Sequence, residues 1–397
     1  MGVLLDTLLS GAALILLLPV TVLFVEVVLA VTRRGEADEA TPGERPRVAV
    51  LIPAHDEASL LAATLRSILP QLAASDRLLV VADNCSDATA DVAAAAGAEV
   101  AVRTDLERRG KGYALDFGVR HLERDAPEIV IIVDADCHVA AGAIDRLARM
   151  CAKTHRPVQA LYLMRAGHGA GVNLQVAEFA WAVKNLVRPL GLQRLGLPCQ
   201  LMGSGMAFPW STIRSAPLAT GHIVEDLKLG IELARLGAAP LFCPTALVTS
   251  EFPLSKAGIA GQRTRWEHGH LGVISSEAPR LFRDSLTRRD GGLMALALDL
   301  SVPPLALLTL LVAAVWVGSG LLCLVAQACF ALAAISLAAG LLALSILLAW
   351  AKFGRRIISL NKLAFAVIYA FLKIPLYAKF LAARQTAWIR SKRDGED

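Results

Sequence analysis

The chain has 397 residues, of which 55% are hydrophobic and 19% are charged, and its formal net charge at pH 7 is +5. Soluble domains carry roughly 45–50% apolar and about 25% charged residues, so this composition excludes a wholly soluble chain and a disordered one. The small positive charge gives no reason to expect nucleic acid as a partner.

An apolar run opens the chain. Residues from Leu8 to Val31 are almost continuously apolar, about the length that crosses a bilayer as a helix. A cleaved signal peptide is the alternative, although this run is long for one and lacks a basic start. Basic residues follow the run at Arg33, Arg34, Arg45 and Arg47. Because such residues stay in the cytoplasm, we predict a transmembrane helix within 1–34 and a linker at 35–46 on the cytoplasmic side.

Strand-like and helix-like segments alternate over residues 47–254. Short apolar runs predict buried strands at 47–54, 77–82, 99–102 and 129–133. Helical spacing of apolar residues predicts helices over 60–69, 88–96 and 112–122. This alternation predicts an α/β domain with a Rossmann-like, mostly parallel sheet. Ligands of such sheets bind at the carboxyl ends of the strands.

Acidic residues follow three of those strand ends, in the segments 53–57 (PAHDE), 83–87 (DNCSD) and 134–136 (DAD). Neither a GxGxxG turn nor a Walker A loop accompanies them. An acidic edge that meets a nucleotide diphosphate needs a divalent cation, and carboxylate oxygens favour Mg²⁺ or Mn²⁺. Since side chains at i and i+2 on extended chain point the same way, we predict Asp134 and Asp136 as metal ligands.

Four further motifs carry polar or glycine residues. The segment 110–112 (GKG) precedes a helix, where a lysine can meet phosphate, and 202–206 (MGSGM) indicates close backbone packing against a ligand. The pair 225–226 (ED) opens a helix over 227–236, where acids also serve as caps. The segment 262–266 (QRTRW) lies ahead of the next apolar region, where Arg and Trp also act as interface anchors.

Two long apolar runs follow, at Leu293–Val317 and Leu321–Trp350. We predict a transmembrane helix in each, joined by a hairpin at 318–320 (GSG) within a membrane region of 291–350. Glu26 and Asp299 fall inside or beside the predicted spans. Charges buried in a membrane are often functional, but both residues can instead be solvated near the headgroups, which we expect.

The C-terminal segment 351–397 is rich in Lys and Arg, with no acid from Ala351 to Arg393. Its uninterrupted apolar run, Leu363–Leu372, is short for a span. We therefore predict a basic amphipathic tail on the cytoplasmic face that contacts membrane lipids. A fourth span at about 362–383 is the alternative, although it would export the basic C-terminus.

The cysteines give no pattern of paired or metal-binding residues. The seven include no CxxC motif, and the odd number makes a disulfide framework or a zinc site unexpected. We therefore expect reduced thiols, as suit a domain that faces the cytosol.

In their order and spacing these motifs resemble those of membrane-integrated family 2 glycosyltransferases with a GT-A fold. This group includes cellulose, hyaluronan and poly-N-acetylglucosamine synthases and ceramide glucosyltransferase. The resemblance implies that Glu57 lies near the nucleoside and that Asp83 contacts the base, although Ala82 replaces an acid of the family pattern. It also implies that Lys111 lies beside the nucleotide, and that Asp134 and Asp136 make ribose and metal contacts.

The same resemblance implies the catalytic residues. Asp226 matches the general base of the synthases, with Val224 in place of a Thr in their motif. The QxxRW signature is matched by Gln262, Arg265 and Trp266. In the family this signature lies on an interfacial helix, here expected within 255–290, that closes over the diphosphate and the acceptor.

The expected activity is inverting, metal-dependent transfer of a hexosyl or N-acetylhexosaminyl group from a nucleotide-diphosphate sugar, with a UDP-sugar as the expected donor. The acceptor would be a hydroxyl of a membrane-associated lipid or a growing saccharide. A processive exopolysaccharide synthase is the first alternative, although three spans make a sparse channel without an oligomer or an export partner. A catalytically inactive sugar-nucleotide-binding membrane regulator is the second. The expected location is the bacterial inner membrane, with a cytoplasmic catalytic domain.

Overall fold

The computed structural model describes residues 2–33, 44–167, 169–253, 255–327 and 329–382. It divides into two units. The hydrophobic unit lies within residues 1–34, 168–196 and 270–384, and the α/β unit within 35–167 and 197–269. Most of the predicted linker and the tail from 383 onward lie outside the described residues, and the predicted domain boundaries stay predictions.

The helices are numbered in chain order. They are α1 (Gly2–Thr32), α2 (Ala58–Ile68), α3 (Thr89–Ala95), α4 (Lys111–Leu122), α5 (Ala143–Thr154), α6 (Val172–Ala182), α7 (Arg188–Arg194), α8 (Trp210–Ile213), α9 (Glu225–Arg235), α10 (Lys256–Arg288), α11 (Gly291–Leu300), α12 (Leu305–Ala326), α13 (Phe330–Ala349), α14 (Leu360–Leu363), α15 (Phe365–Phe371) and α16 (Ile374–Ala382).

The described residues of the α/β unit form a mixed sheet with the strand order β3-β2-β1-β4-β7-β6-β8-β5. Its strands are β1 (Val48–Ala54), β2 (Arg77–Asp83), β3 (Glu99–Arg103), β4 (Ile129–Ile132), β5 (His138–Val139), β6 (Val158–Arg165), β7 (Met206–Pro209) and β8 (Leu241–Glu251). The strands β1 to β4 are mutually parallel, as are β6 and β8, whereas β7 is antiparallel to both neighbours and β5 to β8. The predicted α/β class with a mostly parallel sheet is confirmed.

Parallel register brings the strand ends together. Leu51 of β1 is paired with Leu79 of β2 and with Ile132 of β4, so the carboxyl ends of these strands lie at one edge of the sheet. Helix α4 packs closely on these strands, because a Cβ on Gly118 would lie 2.5 Å from Leu51 Cδ1. Each of these strands contains a buried apolar run, at 48–52, 78–82 and 129–132, which is typical of parallel strands covered on both faces.

Four helices of the hydrophobic unit are long and apolar enough to cross a membrane: Leu4–Thr32, Leu305–Ala326, Phe330–Gly354 and Leu360–Ala382. The last of these coincides with the predicted alternative of a fourth span, and its crossing stays a prediction. Two expected boundaries are wrong. Helix α11 stops at Leu300 because Pro303 and Pro304 follow, which cannot donate helical hydrogen bonds. Helix α12 continues through 318–320 to Ala326, so no hairpin lies there.

The true turn lies between α12 and α13 and holds a disulfide. Cys323 and Cys329 are bonded, with their Cα atoms 4.7 Å apart. The expectation of reduced cysteines is therefore wrong for this pair. The turn after α12 brings the two residues together, and their separation of six residues matches no common motif that would have predicted the bond. The remaining cysteines are thiols: Cys85, Cys137, Cys151, Cys199 and Cys243.

Contacts within the hydrophobic unit define which helix ends meet. Lys352 Nζ, just after α13, donates to the carbonyls of Ala30, Val31 and Arg33 at 3.3, 2.5 and 3.0 Å, at the end of α1. A Cβ on Gly318, near the end of α12, would lie 3.6 Å from Leu9 near the start of α1. The disulfide turn therefore lies at the opposite end of the helices from Lys352.

Candidate active site

The segment after β4 is held from two sides. Thr64 Oγ1 of α2 donates to the carbonyl of Ala135 at 2.7 Å. The backbone N–H of Asp134 donates to Ser204 Oγ at 3.1 Å, and Ser204 is fully buried. These bonds fix the turn on which Asp134 and Asp136 lie, at the edge where the sequence predicts them.

The residues of this turn fit a divalent cation. One ligand atom from each of Asp134, Asp136 and Cys137 lies within 4.8 Å of the others. Burial raises the pKa of the Cys137 thiol well above its usual value, and the neighbouring Asp136 charge adds to the rise, so this sulfur stays protonated. It receives a hydrogen bond from Ser204 Oγ at 3.2 Å. The two carboxylates are the hard oxygen ligands that suit Mg²⁺ or Mn²⁺.

Lys111, the first residue of α4, reaches the same place. Its Nζ lies 2.5 Å from Asp134 Oδ1, donates to the carbonyl of Gly203 at 2.7 Å, and lies 3.7 Å from Glu225 Oε1. Burial alone would lower the pKa of Lys111, but the carboxylates of Asp134 and Glu225 outweigh it and raise that pKa. Lys111 is therefore an ammonium that joins the turn after β4 to the start of α9.

Gly203 lies between the acidic residues of two elements. Its φ of +97° is in the region that favours glycine. A Cβ on it would lie 3.3 Å from Asp226 Oδ2 and 3.9 Å from Asp134 Oδ2. The buried side chain of Gln159 fixes the segment, because its Oε1 accepts from the Met202 N–H at 2.8 Å and its Nε2 donates to the Ser204 carbonyl at 2.9 Å.

Glu225 and Asp226 form the first turn of α9. The segment before this turn packs directly against α4. A Cβ on Gly112 of α4 would lie 2.5 Å from the carbonyl oxygens of both Leu218 and Thr220, so only glycine leaves room for this contact. Burial raises the pKa of Glu225 to about 7, against the opposing effect of the Lys111 ammonium. The structure thus brings Lys111, Asp134 and Asp226 together, with Glu225 and Gly203 beside them.

The QxxRW motif lies on α10. Gln262, Arg265, Trp266 and Gly269 recur at the spacing of one helix face. A Cβ on Gly269 would lie 2.6 Å from a methyl carbon of Val224, the residue just before Glu225. The motif-bearing face of α10 therefore packs beside the start of α9. Gln262 is buried, and Arg265 and Trp266 are half-buried.

Asp83 and Glu57 lie at the neighbouring strand ends. Asp83 Oδ1 accepts from Arg103 Nη1 at 2.6 Å, and both side chains are buried. The backbone N–H of Glu57 donates to Thr89 Oγ1 at 2.8 Å, so Glu57, which directly precedes α2, lies beside the first residue of α3. Both residues are at the predicted edge, and their contacts with a nucleoside stay predictions.

Two positioning residues are absent from the sequence analysis, Thr64 and Gln159, which act through hydrogen bonds to backbone far away in the chain. Ser204 lies in the predicted segment 202–206, but its bond to the Asp134 N–H could not be foreseen. Gln159 also carries a signal in the sequence, because it is the single amide within the apolar run of β6. Such a residue in a buried strand needs partners, so it marks a polar site nearby.

Comparison with known proteins decides the family. Residues 46–269 match the family described as "Glycosyltransferase like family 2". An uncharacterized glycosyltransferase of Mycobacterium tuberculosis (strain ATCC 25618 / H37Rv) is 31% identical over 189 residues, which cover 42% of this chain and 82% of that protein. The chain is a family 2 glycosyltransferase. Another relative of this glycosyltransferase is the probable glycosyltransferase YdaM of Bacillus subtilis (strain 168), 25% identical over 255 residues. That match covers 60% of this chain and 59% of YdaM, less than two thirds of its length.

A solved structure shares the fold of this family 2 glycosyltransferase. The mannosyltransferase PcManGT from Pyrobaculum calidifontis, determined with GDP-Man and Mn²⁺, superposes with a TM-score of 0.53 at 21% identity. The match covers 92% of this chain and 98% of that one. This structure confirms the GT-A fold implied by the motifs, and the family match over 46–269 confirms the enzyme class. The described residues contain four helices long and apolar enough to cross a membrane, one more than the three spans that the sequence analysis favours.

Proposed function

We propose that this enzyme catalyses inverting, metal-dependent transfer of a hexosyl or N-acetylhexosaminyl group from a nucleotide-diphosphate sugar to a hydroxyl of a membrane-associated lipid or a growing saccharide. A UDP-sugar is the expected donor. The observation that carries this proposal is the convergence of two acidic side chains on Gly203. Asp226 Oδ2 and Asp134 Oδ2 lie 3.3 and 3.9 Å from the position that a Cβ on this glycine would take. A base and a cation ligand this close can serve one reaction centre.

Asp226 is the proposed general base. Its carboxylate removes the proton of the acceptor hydroxyl while the acceptor oxygen forms a bond to C1 of the sugar. The bond from C1 to the diphosphate oxygen breaks, and its electron pair leaves with the diphosphate. Because attack and departure take place on opposite faces of C1, the anomeric configuration inverts.

The chain's own residues orient the leaving group. A divalent cation held by Asp134 and Asp136 would neutralise charge that develops on the diphosphate. We assign Arg265 to the same negative charge, since a preorganised cation stabilises a transition state without reorganisation. Lys111 lies beside the nucleotide sugar in this proposal. Trp266 offers an apolar face to the acceptor, and Gln262, one turn earlier on α10, supports the position of Trp266. Glu57 and Asp83 are assigned to the nucleoside of the donor.

Two observations support a membrane-associated acceptor and a cytoplasmic active site. Helix α10 carries the QxxRW motif, and the apolar helices from Gly291 onward follow it directly in the chain. Basic residues such as Arg33 and Lys352 gather at one end of the apolar helices, and the disulfide lies at the other. Since basic loops stay inside and disulfides persist in oxidising compartments, we propose a cytoplasmic α/β unit at the inner membrane of a bacterium.

The test uses the full chain in lipid nanodiscs with Mn²⁺, a panel of UDP- and GDP-sugars, and a bacterial lipid extract. Mass spectrometry should find a lipid heavier by one hexose or N-acetylhexosamine, and NMR should show an inverted anomer. Retention of configuration would overturn the proposed mechanism. A ladder of longer products would favour the processive alternative, and nucleotide binding without any product would favour the inactive regulator.

A further inference from the structure

The Lys111 ammonium and a divalent cation need the same carboxylate. Lys111 Nζ lies 2.5 Å from Asp134 Oδ1, on a residue that also belongs to the candidate metal site. Two positive charges this close repel each other strongly, even where water screens them. A cation bound through Asp134 therefore weakens the contact between Lys111 and Asp134, and the ammonium needs another acceptor.

Glu225 provides that acceptor. Its Oε1 lies 3.7 Å from Lys111 Nζ, just beyond hydrogen-bond distance, and its side chain is 15% exposed. The lysine stem is flexible, so a displacement of about 1 Å would convert this approach into a hydrogen bond. The carbonyl of Gly203, at 2.7 Å, can hold the ammonium during the change because it is not a member of the acidic cluster.

We propose that Glu225 is a positioning residue that receives the Lys111 ammonium when a divalent cation occupies Asp134 and Asp136. This inference rests on the proposed function, because it assumes the metal site of the transferase. In the metal-free protein, the Lys111 ammonium neutralises the acidic site. When the metal binds, Glu225 lowers the free-energy cost of moving this ammonium away from Asp134. Glu225 thus acts through Lys111 and touches neither the metal nor the sugar.

The test measures the affinity of the full chain for Mn²⁺ alone, by electron paramagnetic resonance in detergent without nucleotide. Lys111→Met removes the competing ammonium and should tighten Mn²⁺ binding by about tenfold or more. Glu225→Gln removes the second acceptor and should weaken Mn²⁺ binding by roughly threefold to tenfold, the size of one partly screened charge contact. Matched controls are Arg109→Met, in the loop before α4, and Glu232→Gln, on α9, and both should bind Mn²⁺ as the parent does.

The double variant Lys111→Met/Glu225→Gln decides between two explanations. If Glu225 acts through Lys111, the double variant binds Mn²⁺ as tightly as Lys111→Met alone, because no ammonium remains to be received. An equal weakening by Glu225→Gln in both backgrounds would overturn the proposal and show that Glu225 acts on the metal directly. Unchanged Mn²⁺ affinity in Lys111→Met would also overturn it.

Two further measurements keep these outcomes interpretable. If Lys111→Met does not fold, as judged by its thermal unfolding, Lys111→Gln replaces it in the single and double variants. Glu225→Gln is expected to fold, because it retains the contact between Lys111 and Asp134. Sugar transfer by the parent enzyme is measured in parallel. A parent that transfers no sugar contradicts the proposed function, whereas an active parent whose Mn²⁺ affinity ignores Lys111 contradicts only this inference.

Discussion

Arg188 of α7 donates from Nε to Glu26 Oε2 of α1 at 3.0 Å, inside the hydrophobic unit. Its Nη2 also lies 2.5 Å from Asp299 Oδ1 of α11. The three side chains are at most 5% exposed. The expectation that Glu26 and Asp299 are solvated near the headgroups is therefore wrong, because both are buried and Arg188 neutralises them. The sequence gives no sign of this pairing, since Arg188 lies more than 100 residues from both. This ion triad joins three helices.

Removal of Arg188 should destabilise the hydrophobic unit. Arg188→Met leaves two carboxylates buried without their cation, which should lower the free energy of unfolding by about 3–5 kcal/mol. Thermal or denaturant unfolding in detergent measures the loss. Arg283→Met, an exposed arginine on α10, is the matched control and should be near neutral. The triple variant Arg188→Met/Glu26→Gln/Asp299→Asn should recover much of the loss, and a triple variant as unstable as the single one would contradict the charge argument.

The disulfide predicts the orientation of the hydrophobic unit. If the turn that holds Cys323 and Cys329 faces the oxidising side, a membrane-impermeant reductant followed by an impermeant maleimide should label both residues in intact cells. Cys85, the half-buried thiol of the α/β unit, is the internal control and should react only after lysis. Labelling of Cys85 in intact cells, with Cys323 and Cys329 protected, would reverse the proposed orientation.

Much of the sheet could be predicted from the sequence because its strands are buried on both faces. Runs such as 48–54 and 129–132 are continuously apolar, so they stand out, and the acids that follow them must lie at one edge. Asp134 lies just after β4, Asp226 in the first turn of α9 and Trp266 on α10, and the roles that the family resemblance implies for them stay predictions.

The remaining features depend on contacts that no local pattern encodes. The approach of Gly203 to both Asp134 and Asp226 needs the register of β4 and β7, which are far apart in sequence. The predicted hairpin at 318–320 is wrong because glycines such as Gly318 are tolerated inside apolar helices and do not mark a turn there.

Transfer should require a divalent cation. Excess chelator should abolish it, and Mn²⁺ or Mg²⁺ should restore it, because Asp134 and Asp136 supply oxygen ligands. Asp136→Ala should lose metal-dependent nucleotide binding, measured by calorimetry with and without Mn²⁺. Asp116→Ala, which removes the partner of Arg120 on α4, is the control. Full transfer in chelator would refute the metal role of both aspartates.

Glu225 should make the metal-free protein less stable as pH rises. Its pKa in the folded chain, about 7, lies above the ordinary value of 4.5, so the folded state binds the proton more tightly than the unfolded state. Its contribution to stability is complete below pH 4.5 and is lost as pH rises to about 7. Unfolding measured across this window should show a smaller decline for Glu225→Gln than for the parent and for Glu232→Gln. Parallel curves for all three proteins would contradict the assignment.

Asp226→Asn separates chemistry from binding. A general base acts on the acceptor proton in the transition state and contributes little to donor affinity. The variant should fold and bind nucleotide as the parent does, while its transfer rate falls by roughly 10²–10⁴. If Asp226 serves only to cap α9, the substitution should be almost silent, since Asn caps a helix about as well as Asp. Calorimetry with the nucleotide and initial rates of product formation measure the two properties. Near-normal turnover would refute the general base, and loss of nucleotide binding together with turnover would place Asp226 in the donor site instead.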